Sequence, residues 1–385
     1  MPHTMSVPAG MRLLRQGELQ VGKPLPWPLY DRCGMLLLQR GRVIESDSQL
    51  EILLDRSCLI SEADARSART AAEPPPPPPE PKTPFEAMDA LKLDIGLLHR
   101  QLLSGTASGV AERVARMAAD LECAFARDTD AVLASMQLQL DPHDHAARQA
   151  HAAILCVFAA RTLRLDDGVV RGLTGAALTY DVALGPLANE LNGQSERLDS
   201  GQMEQVQAHP EAAARLLENA GVDDPVWLDA VLHHHERLDG SGYPHGLRGE
   251  DIPCPTRLLA IVDIYTAMLR PRTYRDAMPA RMALRSIFLE RGQLVDDALA
   301  AALIKELGVY PPGTLVRLAN DEIGIVVRRG EDATHPLVFR LMTAEGYRAS
   351  VTVPRDTREP EFQIVDAVSH DRYPGLAGNA AALWK

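Results

Sequence analysis

Residues 231–244 read VLHHHERLDGSGYP, an apolar helical run that ends in three consecutive histidines. Glu236, Asp239 and a glycine-rich turn follow directly. Imidazoles and carboxylates at the end of a helix either form a solvated helix end or bind a cation. The stretch alone leaves both interpretations open, so the neighbouring sequence has to be considered.

Polar residues also interrupt other apolar helical segments of the chain. Asp263 lies within residues 257–269, Asp181 lies within residues 175–184, and His151 begins an apolar run that ends at Ala160. A carboxylate in such a run is costly to bury unless it is paired or bound to a cation. His209 precedes Pro210, which predicts a break in the helix and a new helix from residue 211.

Each of these residues taken alone can be structural, because a core histidine can donate to a carbonyl and a buried aspartate can cap a helix. Together, several imidazoles and two carboxylates from separate helices predict a site for one or two divalent ions. Bundles build such sites from side chains that project inward. The donor set suits Fe, Mn, Zn or Ni rather than Mg or Ca.

The fold class follows from the hydrophobic periodicity. Residues 85–309 carry apolar residues at three- and four-residue spacing, and Thr83-Pro84-Phe85-Glu86 is a typical helix start. Short β-branched runs follow, at residues 314–318, 323–328, 337–341 and 350–353. We therefore predict a mainly α protein, with a helical bundle at residues 85–309, a small antiparallel β subdomain at 310–367 and a flexible tail at 368–385.

A proline-rich stretch at residues 70–84 predicts a stiff linker. It separates off residues 1–69, which we expect to form a small α+β regulatory or docking module. In that module, Ser46 and Gln49 predict a helix start.

Composition excludes several classes of partner. The net charge is −12, from 40 basic and 52 acidic residues, which argues against a general nucleic-acid or anionic-membrane surface. The apolar run Ala152–Ala160 is too short to cross a bilayer, and the N-terminus lacks the apolar region of a secretory signal. Five scattered cysteines without a CxxC pair favour reduced thiols. We therefore expect a cytoplasmic protein that binds neither nucleic acid nor membrane.

The segment HHERLDGSGYP, His234–Pro244, resembles the signature of the HD-GYP family of metal-dependent phosphohydrolases. Ile261–Met268, IVDIYTAM, resembles the late aspartate helix of that family, and His209-Pro210 resembles its middle histidine. The resemblance covers about residues 145–308 and implies an HD-type all-α fold. It also implies hydrolysis of cyclic di-GMP, a bacterial second messenger, by a centre of two or three metal ions.

The resemblance also implies roles for individual residues. Asp181 would be the metal-bridging, catalytic carboxylate. For this chain we expect iron or manganese as the cofactor, as one or two ions. The other implied ligands are His151, chosen over His145 from helix spacing, and His209, His234, His235 and Asp263. The implied substrate-binding residues are Arg272, Arg275, Tyr243 and Pro244.

One segment departs from the family pattern His-Asp-x-Gly-Lys, because residues 180–184 read YDVAL. Tyr180 replaces the histidine, and a neutral phenol is a poor ligand at pH 7. Leu184 replaces the lysine and cannot neutralise phosphate charge. Three functions remain open: a weakened phosphodiesterase; a non-catalytic module that binds cyclic di-GMP or a signalling partner such as a cyclase domain, with homodimerisation possible; and a purely structural helical domain.

Overall fold

The computed structural model describes residues 10–15, 18–44, 46–55, 58–65, 82–139, 144–185, 187, 194, 198–270, 277–373 and 375–384. It divides the chain into two compact units, residues 1–81 and 82–385. The prolines at 74–79 lie outside the described residues.

The N-terminal unit combines a small antiparallel sheet with a helix. Its strands are β1 (Met11–Leu13), β2 (Leu29–Tyr30), β3 (Leu36–Leu38) and β4 (Leu59–Ser61), in the order β1-β4-β2-β3. Helix α1 (Asp47–Asp55) begins where the sequence predicts, and Ser46 Oγ accepts the backbone N–H of Gln49 at 3.2 Å. Trp27, Leu29 and Ile60 are buried in its core. The expected α+β character is confirmed.

The second unit is mainly helical, as predicted. Its helices are α2 (Pro84–Leu103), α3 (Val110–Arg127), α4 (Thr129–Leu138), α5 (His145–Thr162), α6 (Asp167–Thr179), α7 (Ser200–Asn219), α8 (Pro225–His233), α9 (Cys254–Met268), α10 (Ala280–Glu290) and α11 (Asp297–Leu307). Thr83 and Glu86 form the predicted capping box of α2. None of the described helices combines the length and apolar character needed to cross a membrane. All five cysteines are free thiols.

The predicted helix break at Pro210 is wrong, because α7 continues through it. A proline has no N–H to donate to the carbonyl four residues earlier, which here belongs to Val206. The His209 ring supplies the replacement, since its Nδ1 lies 2.5 Å from Val206 O. The Val206 carbonyl therefore still accepts a hydrogen bond, and this bond fixes the orientation of the His209 imidazole.

A five-stranded antiparallel sheet follows the helices. Its strands are β5 (Leu315–Leu318), β6 (Ile323–Arg328), β7 (Leu337–Met342), β8 (Pro354–Asp356) and β9 (Ile364–Val368), in the order β8-β7-β6-β5-β9. The strand predicted at residues 350–353 lies a few residues later, because its pairing with β7 begins only at Val353.

The predicted flexible tail instead packs on the domain. Residues Ala377–Trp384 form a 3₁₀ segment, and the Trp384 ring is buried beside Phe85 at a centroid distance of 5.8 Å. Trp384 Nε1 donates to Val327 O at 3.0 Å. The sheet and this segment share an apolar cluster with α4, so they belong to the same compact unit as the helices.

Close packing of α6 on α8 positions the polar residues that follow each helix. Gly175 leaves room for the Trp227 ring, and Trp227 Nε1 donates to Thr179 Oγ1 at 2.8 Å. A Cβ at position 175 would lie 2.5–2.8 Å from atoms of that ring. The end of α6, which leads into Tyr180 and Asp181, is therefore held against α8, the helix that leads into His234.

We predict that Gly175→Ala destabilises the protein by about 1–3 kcal/mol, because the indole has to move out of a close-packed interface. Gly168→Ala, in the first turn of the same helix, is the matched control, since its nearest neighbour would be Arg171 Nη2 at 3.9 Å. Urea denaturation followed by circular dichroism measures both variants. Equal midpoints for the two variants would contradict this account of the interface.

Candidate metal centre

Asp181 lies at the centre of the candidate site, two residues beyond the end of α6. Its side chain is fully buried, and its two oxygens lie against an arginine and two histidines. Oδ1 lies 3.2 Å from His209 Nε2 and 4.0 Å from His234 Nε2, whereas Oδ2 lies 2.7 Å from Arg148 Nη1. The two oxygens therefore face different cationic or cation-binding groups.

Backbone carbonyls fix the orientation of two imidazoles. His209 Nδ1 donates to Val206 O at 2.5 Å, and His234 Nδ1 donates to Val231 O at 2.7 Å, near the end of α8. A carbonyl can only accept, so each Nδ1 carries the hydrogen and each Nε2 of a neutral ring carries a lone pair. The two Nε2 atoms lie 3.2 Å apart.

Three electron-rich atoms therefore meet at one buried point: two imidazole Nε2 atoms and Asp181 Oδ1. Burial lowers the pKa of His234 to about 3, with the neighbouring His209 acting in the same direction, so this ring is neutral at pH 7. Burial acts to raise the pKa of Asp181, but Arg148 and His209 outweigh it and hold that pKa well below its usual range. Such a cluster is a favourable environment for a cation.

The geometry fits a divalent transition metal. Two donors that each lie about 2.1 Å from one ion are themselves about 3.0–3.4 Å apart at coordination angles near 90–110°. Two of the three separations here, both 3.2 Å, fall in that range. Imidazole and carboxylate donors suit Fe, Mn or Zn.

His235 adds a third imidazole at the open side of the centre. His209, His234 and His235 form a group whose potential ligand atoms all lie within 4.8 Å of one another. The His235 side chain is 24% exposed, and its Nδ1 lies 3.9 Å from Asp263 Oδ2. Burial lowers its pKa well below the usual range, reinforced by His234. His235 therefore connects the imidazole group to the second carboxylate.

Arg148, which the sequence analysis did not single out, lies between the two buried carboxylates. Its Nη1 is 2.7 Å from Asp181 Oδ2, and its Nη2 is 2.6 Å from Asp263 Oδ1. Burial acts to lower its pKa, but the two carboxylates raise it well above its usual value. The sequence signal that could have identified Arg148 is its position, because it is a basic residue in the first turn of α5, just before the long apolar run.

His151 is not brought to this group, although it is buried in the same helix, α5. Its Nε2 has no hydrogen-bond partner, and burial lowers its pKa to about 3. His145 also lies away from the imidazoles, with Nε2 3.1 Å from the backbone oxygen of Asp181. Arg148 is thus the residue of α5 that contacts the carboxylates.

Tyr180 is buried beneath the imidazoles rather than turned away from them. Its ring packs edge-on against His234 at a centroid distance of 4.9 Å, and its hydroxyl faces the Asp263 carboxylate. Burial raises its pKa well above the usual value, although Arg148 acts in the opposite direction. The phenol is therefore neutral, and it is not a competent metal ligand in that form.

The loop after His235 is held by one buried carboxylate. Glu236 accepts the backbone N–H groups of His245, Gly246 and Leu247 at 2.7, 3.1 and 3.0 Å. Tyr243, which precedes Pro244 through a cis peptide bond, places its ring 4.7 Å from that of His235. A cavity beside the imidazoles is lined on one side by aliphatic side chains such as Ile252 and Leu294. Its other lining residues include His234, His235, Arg237, Ser241 and Tyr243.

The structure thus brings together Asp181, His209, His234, His235 and Asp263, with Tyr243 and Pro244 in the adjoining loop. Arg272 and Arg275 lie outside the described residues.

Comparison with known proteins identifies the family of the chain and several relatives. The HD domain family model matches residues 97–299. The cyclic di-GMP phosphodiesterase PA4108 of Pseudomonas aeruginosa is 28% identical over 90% of this chain and 84% of its own length. The cyclic di-GMP phosphodiesterase response regulator RpfG of Xanthomonas campestris is 33% identical over 41% of each chain. The 3'3'-cGAMP-specific phosphodiesterase 3 of Vibrio cholerae is 31% identical over 43% of this chain and 36% of its own.

The family match covers more than half of the chain and includes every residue of the centre described above. The three relatives are named as phosphodiesterases of cyclic dinucleotides. The chain belongs to the HD domain family, in its HD-GYP branch.

Proposed function

We propose that this chain is a metal-dependent phosphodiesterase that hydrolyses a cyclic dinucleotide, with cyclic di-GMP as the first candidate and 3'3'-cGAMP as the second. The observation that carries the proposal is the convergence of His209 Nε2, His234 Nε2 and Asp181 Oδ1 on one buried point. Iron or manganese is the proposed cofactor. A divalent ion held there polarises a phosphodiester and increases the acidity of water.

The chain's own residues supply orientation and charge. The carbonyls of Val206 and Val231 keep both imidazoles in the tautomer that presents Nε2 to the centre. Arg237 is exposed at the rim of the adjoining cavity, where its positive charge attracts a phosphate despite the acidic net charge of the protein. Tyr243 offers an aromatic surface for a nucleobase in the same cavity. Arg272 and Arg275 remain proposed phosphate contacts.

A second candidate function is a non-catalytic module that binds the same ligand. It is favoured by Tyr180, whose neutral phenol stands where the family pattern has a histidine ligand. In that case, a signalling protein such as a cyclase domain, or a second copy of the chain, would receive the signal.

A turnover assay on metal-reconstituted protein decides between the two functions. Purified protein is loaded separately with Fe(II) and Mn(II) and incubated with cyclic di-GMP or 3'3'-cGAMP, and linear dinucleotide and mononucleotide are quantified by chromatography. We expect hydrolysis of at least one of them. Bound metal and bound ligand without any turnover would establish the non-catalytic module instead.

We predict that His234→Ala reduces bound metal from about one equivalent to a small fraction of one, since one of the three converging donors is lost. Turnover should fall on the order of 10²-fold or more, as is typical for loss of a preorganised electrostatic group. His335→Ala, an exposed histidine bonded to Asp332 in the C-terminal sheet region, is the control. Elemental analysis of both variants measures the metal, and unchanged metal content in His234→Ala would refute the assignment.

We predict that Glu236→Gln loosens the signature loop, because an amide cannot accept three N–H bonds with the strength of a carboxylate. The expected cost is about 1–3 kcal/mol. Hydrogen exchange at the amides of His245, Gly246 and Leu247 should accelerate on the order of 10-fold or more, with a weaker affinity for the dinucleotide. Glu250→Gln, at an exposed carboxylate near Arg257, is the matched control. Unaltered protection of these three amides would show that Glu236 does not hold the loop.

A further inference from the structure

We infer that the Arg148 guanidinium takes the place of a second divalent ion, so that the centre of this chain holds a single metal ion. The inference rests on the proposed metal-dependent function and specifies the composition of that same site. It starts from two contacts, Nη1 to Asp181 Oδ2 at 2.7 Å and Nη2 to Asp263 Oδ1 at 2.6 Å.

The position of the guanidinium is the one that a second cation would need. Asp181 directs Oδ1 to the two imidazole Nε2 atoms, which leaves Oδ2 for another partner. Asp263 is the other carboxylate of the centre, and His235 Nδ1 lies 3.9 Å from its Oδ2. The space between the two carboxylates, where a second ion would find its oxygen ligands, is therefore occupied by a planar cation.

Tyr180 agrees with this interpretation. An ion between the carboxylates would need further donors, and Tyr180, whose ring centroid lies 5.8 Å from the guanidinium carbon of Arg148, offers only a neutral phenol. A guanidinium needs no such donor, because it binds carboxylates through N–H groups in a fixed planar geometry. The change from an imidazole to a phenol at position 180 and the presence of an arginine at 148 are therefore consistent with each other.

Charge balance favours a single ion. When the imidazoles are neutral, the two carboxylates and the guanidinium give the centre a net charge of −1, because −2 + 1 = −1. One divalent ion brings the centre to +1, whereas two would bring it to +3 in a largely buried site. Arginine cannot relieve this by losing its proton, since its charge persists at all accessible pH values. Repulsion between a guanidinium and an adjacent divalent ion is strong where water is excluded.

Arg148 is therefore a positioning residue that also provides fixed positive charge. Its side chain is 14% exposed, so it is largely shielded from solvent. By holding Asp181 Oδ2, it directs Oδ1 toward His209 and His234. The same charge helps to neutralise a phosphodiester that approaches the single ion.

The test is metal stoichiometry, measured together with electron paramagnetic resonance of protein reconstituted with Mn(II). We expect the wild-type chain to bind one Mn(II) with the spectrum of an isolated ion. The Arg148→His substitution removes the guanidinium from the space between the carboxylates and replaces it with a shorter imidazole. This variant should bind two Mn(II) ions and show a spin-coupled spectrum. Arg148→Lys retains a cation and should bind one.

Arg161→His is the matched control, because Arg161 lies in the same helix, α5, and pairs with Glu122 at the surface. It should bind one ion, with an unchanged spectrum. Two ions in the wild-type chain would overturn the inference and leave the phosphodiesterase proposal intact. One ion in a folded Arg148→His variant would also overturn it, because Arg148 would not be what excludes the second ion. If Arg148→His does not fold, the inference is tested by the other two proteins. Two ions in the wild-type chain or in Arg148→Lys would overturn it, and one ion in each would support it. A metal-free wild type would overturn the proposed function itself.

Discussion

The site depends on the meeting of three lone pairs, from His209 Nε2, His234 Nε2 and Asp181 Oδ1, at one buried point. No arrangement of hydrogens on neutral rings satisfies all three atoms, because both Nδ1 atoms already donate to carbonyls. The protein therefore gathers three electron-rich atoms at a place where all three would stabilise a bound cation. Much of the surrounding structure, including the packing of α6 on α8, serves to hold these atoms in place.

The two sides of the centre differ in the groups that contact its carboxylates. On one side, Asp181 Oδ1 lies near the Nε2 atoms of His209 and His234. On the other side, Asp181 and Asp263 are bridged by Arg148, which is permanently charged. The family signature in the GYP loop is retained, while the segment around Tyr180 has changed. The centre therefore combines a half built from imidazoles with one in which a guanidinium contacts the carboxylates.

The sequence was sufficient for the helical bundle and for most of the centre. Apolar periodicity places Met88, Leu91, Ile95, Leu98 and Leu102 in the core, and the capping box at Thr83 is read directly from its residues. Long-range pairings could not be read in this way. Arg148 could not be assigned, since helix spacing alone does not say which polar residue of α5 reaches Asp263, 115 positions later. Trp384 likewise packs on a partner that only the tertiary structure reveals.

Pro210 has a consequence that extends beyond this chain. A proline inside a helix leaves one main-chain oxygen in need of a donor, and here the preceding imidazole provides it. The defect in the helix and the tautomer of the ligand are thus determined by the same dipeptide. A histidine directly before a proline, inside an otherwise regular helical pattern, is therefore a useful marker when primary structures are searched for preoriented imidazole donors.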